Sequence, residues 1–119
     1  MLVDSHCHLE YEGLVERQAA VLATARAAGV GAFLNISTRR AEWARVVATA
    51  ERESDVFAAI GVHPHHADAH ADLTADMLQE AAAHPRVIGL GETGLDYHYE
   101  RSDRAVQQRL FRLHIAVAD

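Results

Sequence analysis

Four compact apolar runs divide the chain, and each gives way to a polar or glycine-flanked residue and then to a stretch with helical spacing. The first, Leu2-Val3, leads straight into Asp4-Ser5-His6-Cys7-His8. The others are Val30 to Ile36, Val56 to Val62 and Val87 to Leu90. Runs this short, apolar at successive rather than alternate positions, suit strands buried in a parallel sheet. Between them the period changes. From Leu14 to Ala28, Leu14, Val21, Leu22, Ala25 and Ala28 share one helix face, and Gly29 supplies a C-terminal stop. Ser37 and Thr38 are placed to cap a helix from Arg39 to about Glu53, with Trp43, Val46, Val47 and Ala50 on one side. A third helix, Thr74 to Ala83, must end before Pro85, because the residue preceding a proline is pushed out of the helical region. Ser102 or Asp103 caps a last helix that carries Val106, Leu110, Leu113 and Val117.

The order is β-α, four times over. It predicts an α/β fold with parallel strands near 2–6, 30–36, 56–62 and 87–91, adjacent in chain order, with right-handed crossovers and helices on the outer face. In such sheets functional groups collect at the C-terminal ends of the strands. The rule selects His6 and His8, Asn35, His63 and Glu92.

Composition narrows the classes. With 119 residues, half of them apolar, the chain is one globular unit with a modest core. No apolar run approaches bilayer length, and the N-terminus lacks a basic segment followed by an apolar one, so a cytoplasmic location with no membrane partner is expected. A single cysteine agrees with a reducing compartment. The net charge of −6 argues against a broad basic footprint for nucleic acid, though bound cations can still hold a polyanion. All eleven basic residues are arginine. The absence of lysine excludes Schiff-base chemistry, a lysine general base and a carbamylated-lysine metal bridge.

His6 and His8 are two apart, so in an extended chain both imidazoles face one way, and Cys7 faces the other as a small core residue. Glu92 follows an apolar run and sits between Gly91 and Gly94. If the strand ends converge, His6, His8 and Glu92 can share one divalent metal, and the second Glu92 oxygen can bridge another, as two-metal hydrolysis requires. Glu92 and His63 are thus the candidate catalytic residues. Pro64 fixes the backbone beside His63, which reads either as a contact to a substrate phosphate or leaving group, or as a hydrogen-bonded loop histidine. Asp96 reads either as orienting a histidine near bound substrate or as holding its loop. His65, His66 and His70 are expected in solvated loop, His66 and His70 spaced for opportunistic chelation, His84 near a helix C-terminus and His114 packed. Gly89-x-Gly91-x-x-Gly94 matches a dinucleotide fingerprint in letters only, since its loop does not open a helix at once.

Asp4-Ser5-His6-Cys7-His8-Leu9, Gly61-Val62-His63-Pro64-His65 and Gly91-Glu92-Thr93-Gly94-Leu95-Asp96-Tyr97, in this order, resemble the successive signatures of the TatD family of metal-dependent hydrolases. The resemblance runs the length of the chain. It implies a TIM-type (β/α)8 barrel, metal-dependent DNase or other ester and phosphodiester hydrolysis, and two divalent ions (Mg, Mn or Zn), with His6 and His8 on one and Glu92 bridging both. DNA or another phosphoester is the implied substrate. The wider amidohydrolase group also opens with His-x-His, but many of its members use a carboxylated lysine where Glu92 stands here.

The resemblance covers only the N-terminal part of one hydrolase domain, residues 1–119. A complete barrel needs roughly 250 residues, and the family's further ligands, two histidines and an aspartate from later strands, have no counterpart. The expectation is a half barrel that binds at most one ion well, has little or no nuclease activity alone and lacks a C-terminal half as partner. A catalytically inactive assembly piece, or another amidohydrolase-type enzyme, are the alternatives.

Overall fold

A computed structural model describes all of residues 1–119. Its four strands, β1 (Leu2–Cys7), β2 (Val30–Ile36), β3 (Val56–Ile60) and β4 (Val87–Leu90), form one sheet in the order β1-β2-β3-β4, every pair parallel. Helices α1 (Gln18–Ala27), α2 (Arg40–Arg52) and α3 (Ala75–Ala82) connect successive strands, and α4 (Arg104–Ala118) follows β4. These are four parallel βα units, as the alternating pattern predicts, and they fit part of the TIM-type barrel that the resemblance implies. No helix is long and apolar enough to cross a membrane.

The helices cover one face of the sheet with two apolar clusters. Leu22, Phe33, Val46 and Val56 centre the first; Trp43, Ile60, Leu78 and Leu110 centre the second. Each such side chain contributes about 1.5–3 kcal/mol when fully buried. Cys7 packs against the first cluster, which pushes its thiol up to about 12, with Asp4 adding to the effect. The sheet's other face and both edges lack such cover: Leu2 on β1 is 62% exposed and Ile88 on β4 is 61%. The radius of gyration, 14.7 Å, accordingly exceeds the about 13.5 Å of a closed globule of this length.

Three local expectations change. The first helix begins at Gln18, not Leu14, because a 3-10 turn at Val15–Arg17 precedes it. Strand β3 stops at Ile60, and the Gly61 N–H turns to the Ser37 hydroxyl at 3.0 Å. Ser37 and Thr38 do not cap α2: Arg39 occupies that position without a side-chain bond. Thr38 instead gives both its N–H and its hydroxyl to Glu42 Oε1, at 2.7 and 2.9 Å.

Candidate metal centre

Ser37 takes another task, and it positions the site. It is fully buried between the ends of three strands. Its N–H donates to the Ala59 carbonyl at 3.1 Å, and its carbonyl accepts the Glu92 N–H at 2.7 Å. The Gly91 N–H donates to the Ile60 carbonyl at 2.8 Å. Gly61 allows this approach, since a Cβ there would stand 2.8 Å from the Gly91 backbone. Trp43 Nε1 donates to the Gly61 carbonyl at 3.0 Å. The chain therefore delivers Glu92 at the C-terminal end of β4 along a path fixed by buried hydrogen bonds.

The two histidines arrive from β1. His8 Nδ1 lies 3.0 Å from the Ile36 carbonyl, which places the ring proton there and leaves Nε2 with a free lone pair. Tyr11 stacks on the same ring, centroids 4.4 Å apart and 8° from parallel. Beyond it, the buried Asn35 Oδ1 accepts the Leu9 N–H at 2.9 Å. Asn35 thus commits its Oδ1 to the backbone after His8, while its buried Nδ2 has no hydrogen-bond partner, and it is not one of the three ligand-type groups that converge.

His6 Nε2 lies 3.2 Å from His8 Nε2 and 3.2 Å from Glu92 Oε2; His8 Nε2 lies 3.3 Å from the same oxygen. Ligands held at roughly 2.0–2.1 Å around a tetrahedral ion stand about 3.3 Å apart. The three atoms therefore match one triangular face of such a shell, and the donor set of two imidazoles and a carboxylate suits a borderline divalent ion. His6 is 52% accessible and His8 19%, so the face opens to solvent on one side.

This end of the sheet belongs to a known family. A family model described as TatD-related DNase matches residues 3–119. The chain is a member of the TatD-related DNase family. It is 33% identical over 118 residues to the uncharacterized metal-dependent hydrolase YabD of Bacillus subtilis, covering 99% of this chain and 46% of that protein. It is 37% identical over 98 residues to a 3'-5' ssDNA/RNA exonuclease, TatD, of Cronobacter turicensis, covering 82% and 37%. The crystal structure of YjjV, a TatD homolog from Escherichia coli K12, superposes with a TM-score of 0.89 at 32% identity, across 98% of this chain and 46% of that one. The chain spans about half the length of the relatives it matches.

Around the TatD-type cluster, His63 places Nε2 3.5 Å from Glu92 Oε1. Its Nδ1 accepts the His65 N–H at 3.0 Å, so the neutral ring carries its proton on Nε2 and faces the carboxylate as a donor. Burial pulls the His63 pKa down, against the attraction of Glu92. Asp96 holds its loop and also meets a histidine. Its Oδ1 accepts the N–H groups of His98 and Tyr99, at 3.1 and 3.3 Å, and its Oδ2 lies 2.9 Å from His65 Nε2. Burial alone would raise its carboxyl, but the Tyr99 and His98 N–H groups and the His65 ring outweigh it and hold the group below the usual carboxylate range.

None of the three histidines expected in solvated loop is solvated; His66 is half-buried in the 3-10 turn Pro64–His66. His65 is half-buried against Asp96. His70 is buried, with Nδ1 2.8 Å from the His66 carbonyl and Nε2 accepting the Arg40 N–H at 3.1 Å, so this pair has no spare nitrogen on His70 for chelation. His84 follows the C-terminus of α3, as expected, and meets Glu51 at 2.6 Å, and His114 is packed, as expected. The largest cleft, about 590 Å³, lies beside Tyr11 and is lined by Thr38, Arg39 and His66 among others; none of the three converging residues lines it. The candidate centre is therefore a ledge on the open sheet rather than a closed pocket.

Proposed function

We propose that this chain carries part of a metal-dependent phosphodiesterase site acting on nucleic acid, as the N-terminal part of one TatD-like hydrolase domain. His6, His8 and Glu92 hold one divalent ion, and Glu92 Oε1, turned toward His63, is available to a second. The observation that carries this reading is the triangle of ligand atoms at 3.2, 3.2 and 3.3 Å. A bound ion supplies Lewis acidity and a water acidified enough to attack at neutral pH. The chain's own residues do the rest. His8 is locked in the tautomer that presents Nε2. His63, kept neutral by burial, is a hydrogen-bond donor through its Nε2–H to a phosphate oxygen or to Glu92, and the proton stays on the ring. Asp96 holds His65 and the loop behind it. DNA, RNA or another phosphoester is the substrate class; the relative named as an ssDNA/RNA exonuclease favours single-stranded nucleic acid.

Only Glu92 serves the second ion from this chain, so the chain alone binds one ion with useful affinity and turns over little or no DNA. The open edges of β1 and β4 support completion of the site by further strands. Calorimetric titration with Mn²⁺ or Zn²⁺ checks the first statement: one ion binds, and binding disappears in His6→Ala and Glu92→Ala. Cleavage of single-stranded DNA with added Mg²⁺ or Mn²⁺ checks the second, comparing this chain with one completed by the missing strands. EDTA-sensitive turnover by the 119-residue chain, lost in His6→Ala, would show that one ion suffices.

A further inference from the structure

The loop that follows Glu92 carries an aromatic and cationic surface outside the metal ligands. Tyr99 is 62% exposed. Its ring stands T-shaped to those of His98 and His65, with centroids 4.6 and 5.7 Å away at near right angles. Arg101 lies over the ring at 5.4 Å and forms no ion pair. The neighbouring pair behaves differently: Arg104 covers Tyr97 at 4.3 Å and its charge is taken by Glu100. So Tyr99 and Arg101 are the aromatic ring and the cation this loop leaves available.

The loop is built rather than slack. Asp96 accepts the His98 and Tyr99 N–H groups. Gln107, 1% exposed in α4, accepts the Asp96 N–H at 2.7 Å and donates to the carbonyls of Asp96 and Ser102 at 3.1 and 2.9 Å. A buried amide that spends all three bonds on this loop fixes its shape before any ligand arrives, which lowers the entropy cost of binding. The loop is also joined to the candidate centre through rings, His65 standing between Tyr99 and His63 with the His63–His65 centroids 4.4 Å apart.

We propose that Tyr99 and Arg101 form a stacking platform for a base of single-stranded nucleic acid whose neighbouring phosphate lies at the metal centre. An exposed aromatic face stacks on any base, and an unpaired guanidinium answers the backbone charge. In a chain of net charge −6, a local aromatic-cationic patch holds a strand where a broad basic surface cannot. A duplex buries its base faces in the stack and cannot use the platform.

This inference rests on the nucleic-acid reading above, and the test keeps the two apart. Fluorescence anisotropy is measured with a short labelled oligothymidylate in EDTA, where no metal and no hydrolysis take part. Tyr99→Ala weakens binding by roughly five- to a hundredfold, Tyr99→Phe binds like the wild type, and Arg101→Ala flattens the salt dependence by about one charge. A duplex of the same length binds more weakly than the single strand. Circular dichroism of Tyr99→Ala matches the wild type, because the ring is exposed. Absence of oligothymidylate binding by the wild type, or equal affinity in Tyr99→Ala, overturns the platform. Binding through Tyr99 without cleavage by the metal-loaded, completed protein overturns hydrolysis and supports the platform.

Discussion

The two ends of the sheet are built on opposite electrostatic rules. At the N-terminal end of the strands, positive charge is answered. Arg26 grips Asp55 through two bonds of 2.7 Å and reaches Glu53 at 3.0 Å, which holds the Asp55 carboxyl below its usual range. Arg86 stacks on Phe57 at 4.3 Å and donates to the carbonyls of Ala50, Glu53, Ser54 and Val56. At the C-terminal end, the Glu92 carboxylate faces only imidazoles, and no arginine or backbone N–H answers it. One end closes the structure; the other leaves lone pairs pointing at a common spot. The difference separates residues that hold the fold from residues placed as candidate ligands, on a single sheet.

The largest expected effect tests the second end. Glu92→Ala should lower affinity for a divalent ion at least about a hundredfold, since even outer partners of ligands cost 10–100-fold, while the metal-free melting temperature stays near that of the wild type. Calorimetry and thermal unfolding read the two quantities. A large loss of metal-free stability would mean that Glu92 is a structural partner of the histidines and would erase the contrast.

Arg86→Ala should do the reverse. It strands several part-buried carbonyls and removes a stacked guanidinium, at about 3 kcal/mol. Urea unfolding should show that loss, and metal affinity per folded molecule should hold. Gly61→Ala lies between the two. Its Cβ meets the Gly91 backbone, and overpacking of this kind costs about 1–3 kcal/mol. Because Gly91 carries Glu92, this variant alone should lose both stability and ion affinity.

The smallest effect is in pH. His114 is buried, with its Nε2 accepting the Val62 N–H at 3.1 Å and its Nδ1 2.7 Å from the Leu110 carbonyl. Burial lowers its pKa from the ordinary 6.5, against the Leu110 bond. The unfolded chain therefore binds the proton more readily. Stability is full above 6.5 and falls as the pH drops from there toward the lowered folded value. His63 and His66 are shifted in the same direction, so the His114 share is the part of the urea-midpoint change that disappears in His114→Gln.

Much of this was legible in the residues. Four apolar runs separated by helical spacing define a parallel βα order because each unit declares itself locally. His6, His8 and Glu92 were legible because each stands at or just after a strand end. Ser37, Gln107 and His70 were not. Ser37 looks like a cap because serines before helices often are, yet its partners are Ala59, Gly61 and Glu92. Gln107 sits inside an amphipathic helix and serves a loop eleven residues upstream. His70 lies in a polar stretch that local pattern reads as solvated, and its burial depends on α2. A hydrogen bond between distant residues leaves no periodic trace. Asn35 shows the converse: its strand position suggested the site, and its side chain serves the backbone of Leu9.

The free edges of β1 and β4 bear on how residues 1–119 behave when they are expressed on their own. Each presents an unpaired row of backbone donors and acceptors, flanked by Leu2, Val3 or Ile88, to any strand that arrives. Such rows are templates for a strand of another copy, and pairing of that kind rises with concentration. Recovery of monodisperse material should therefore fall steeply with expression level, and light scattering against dilution will show whether an edge has found a stranger.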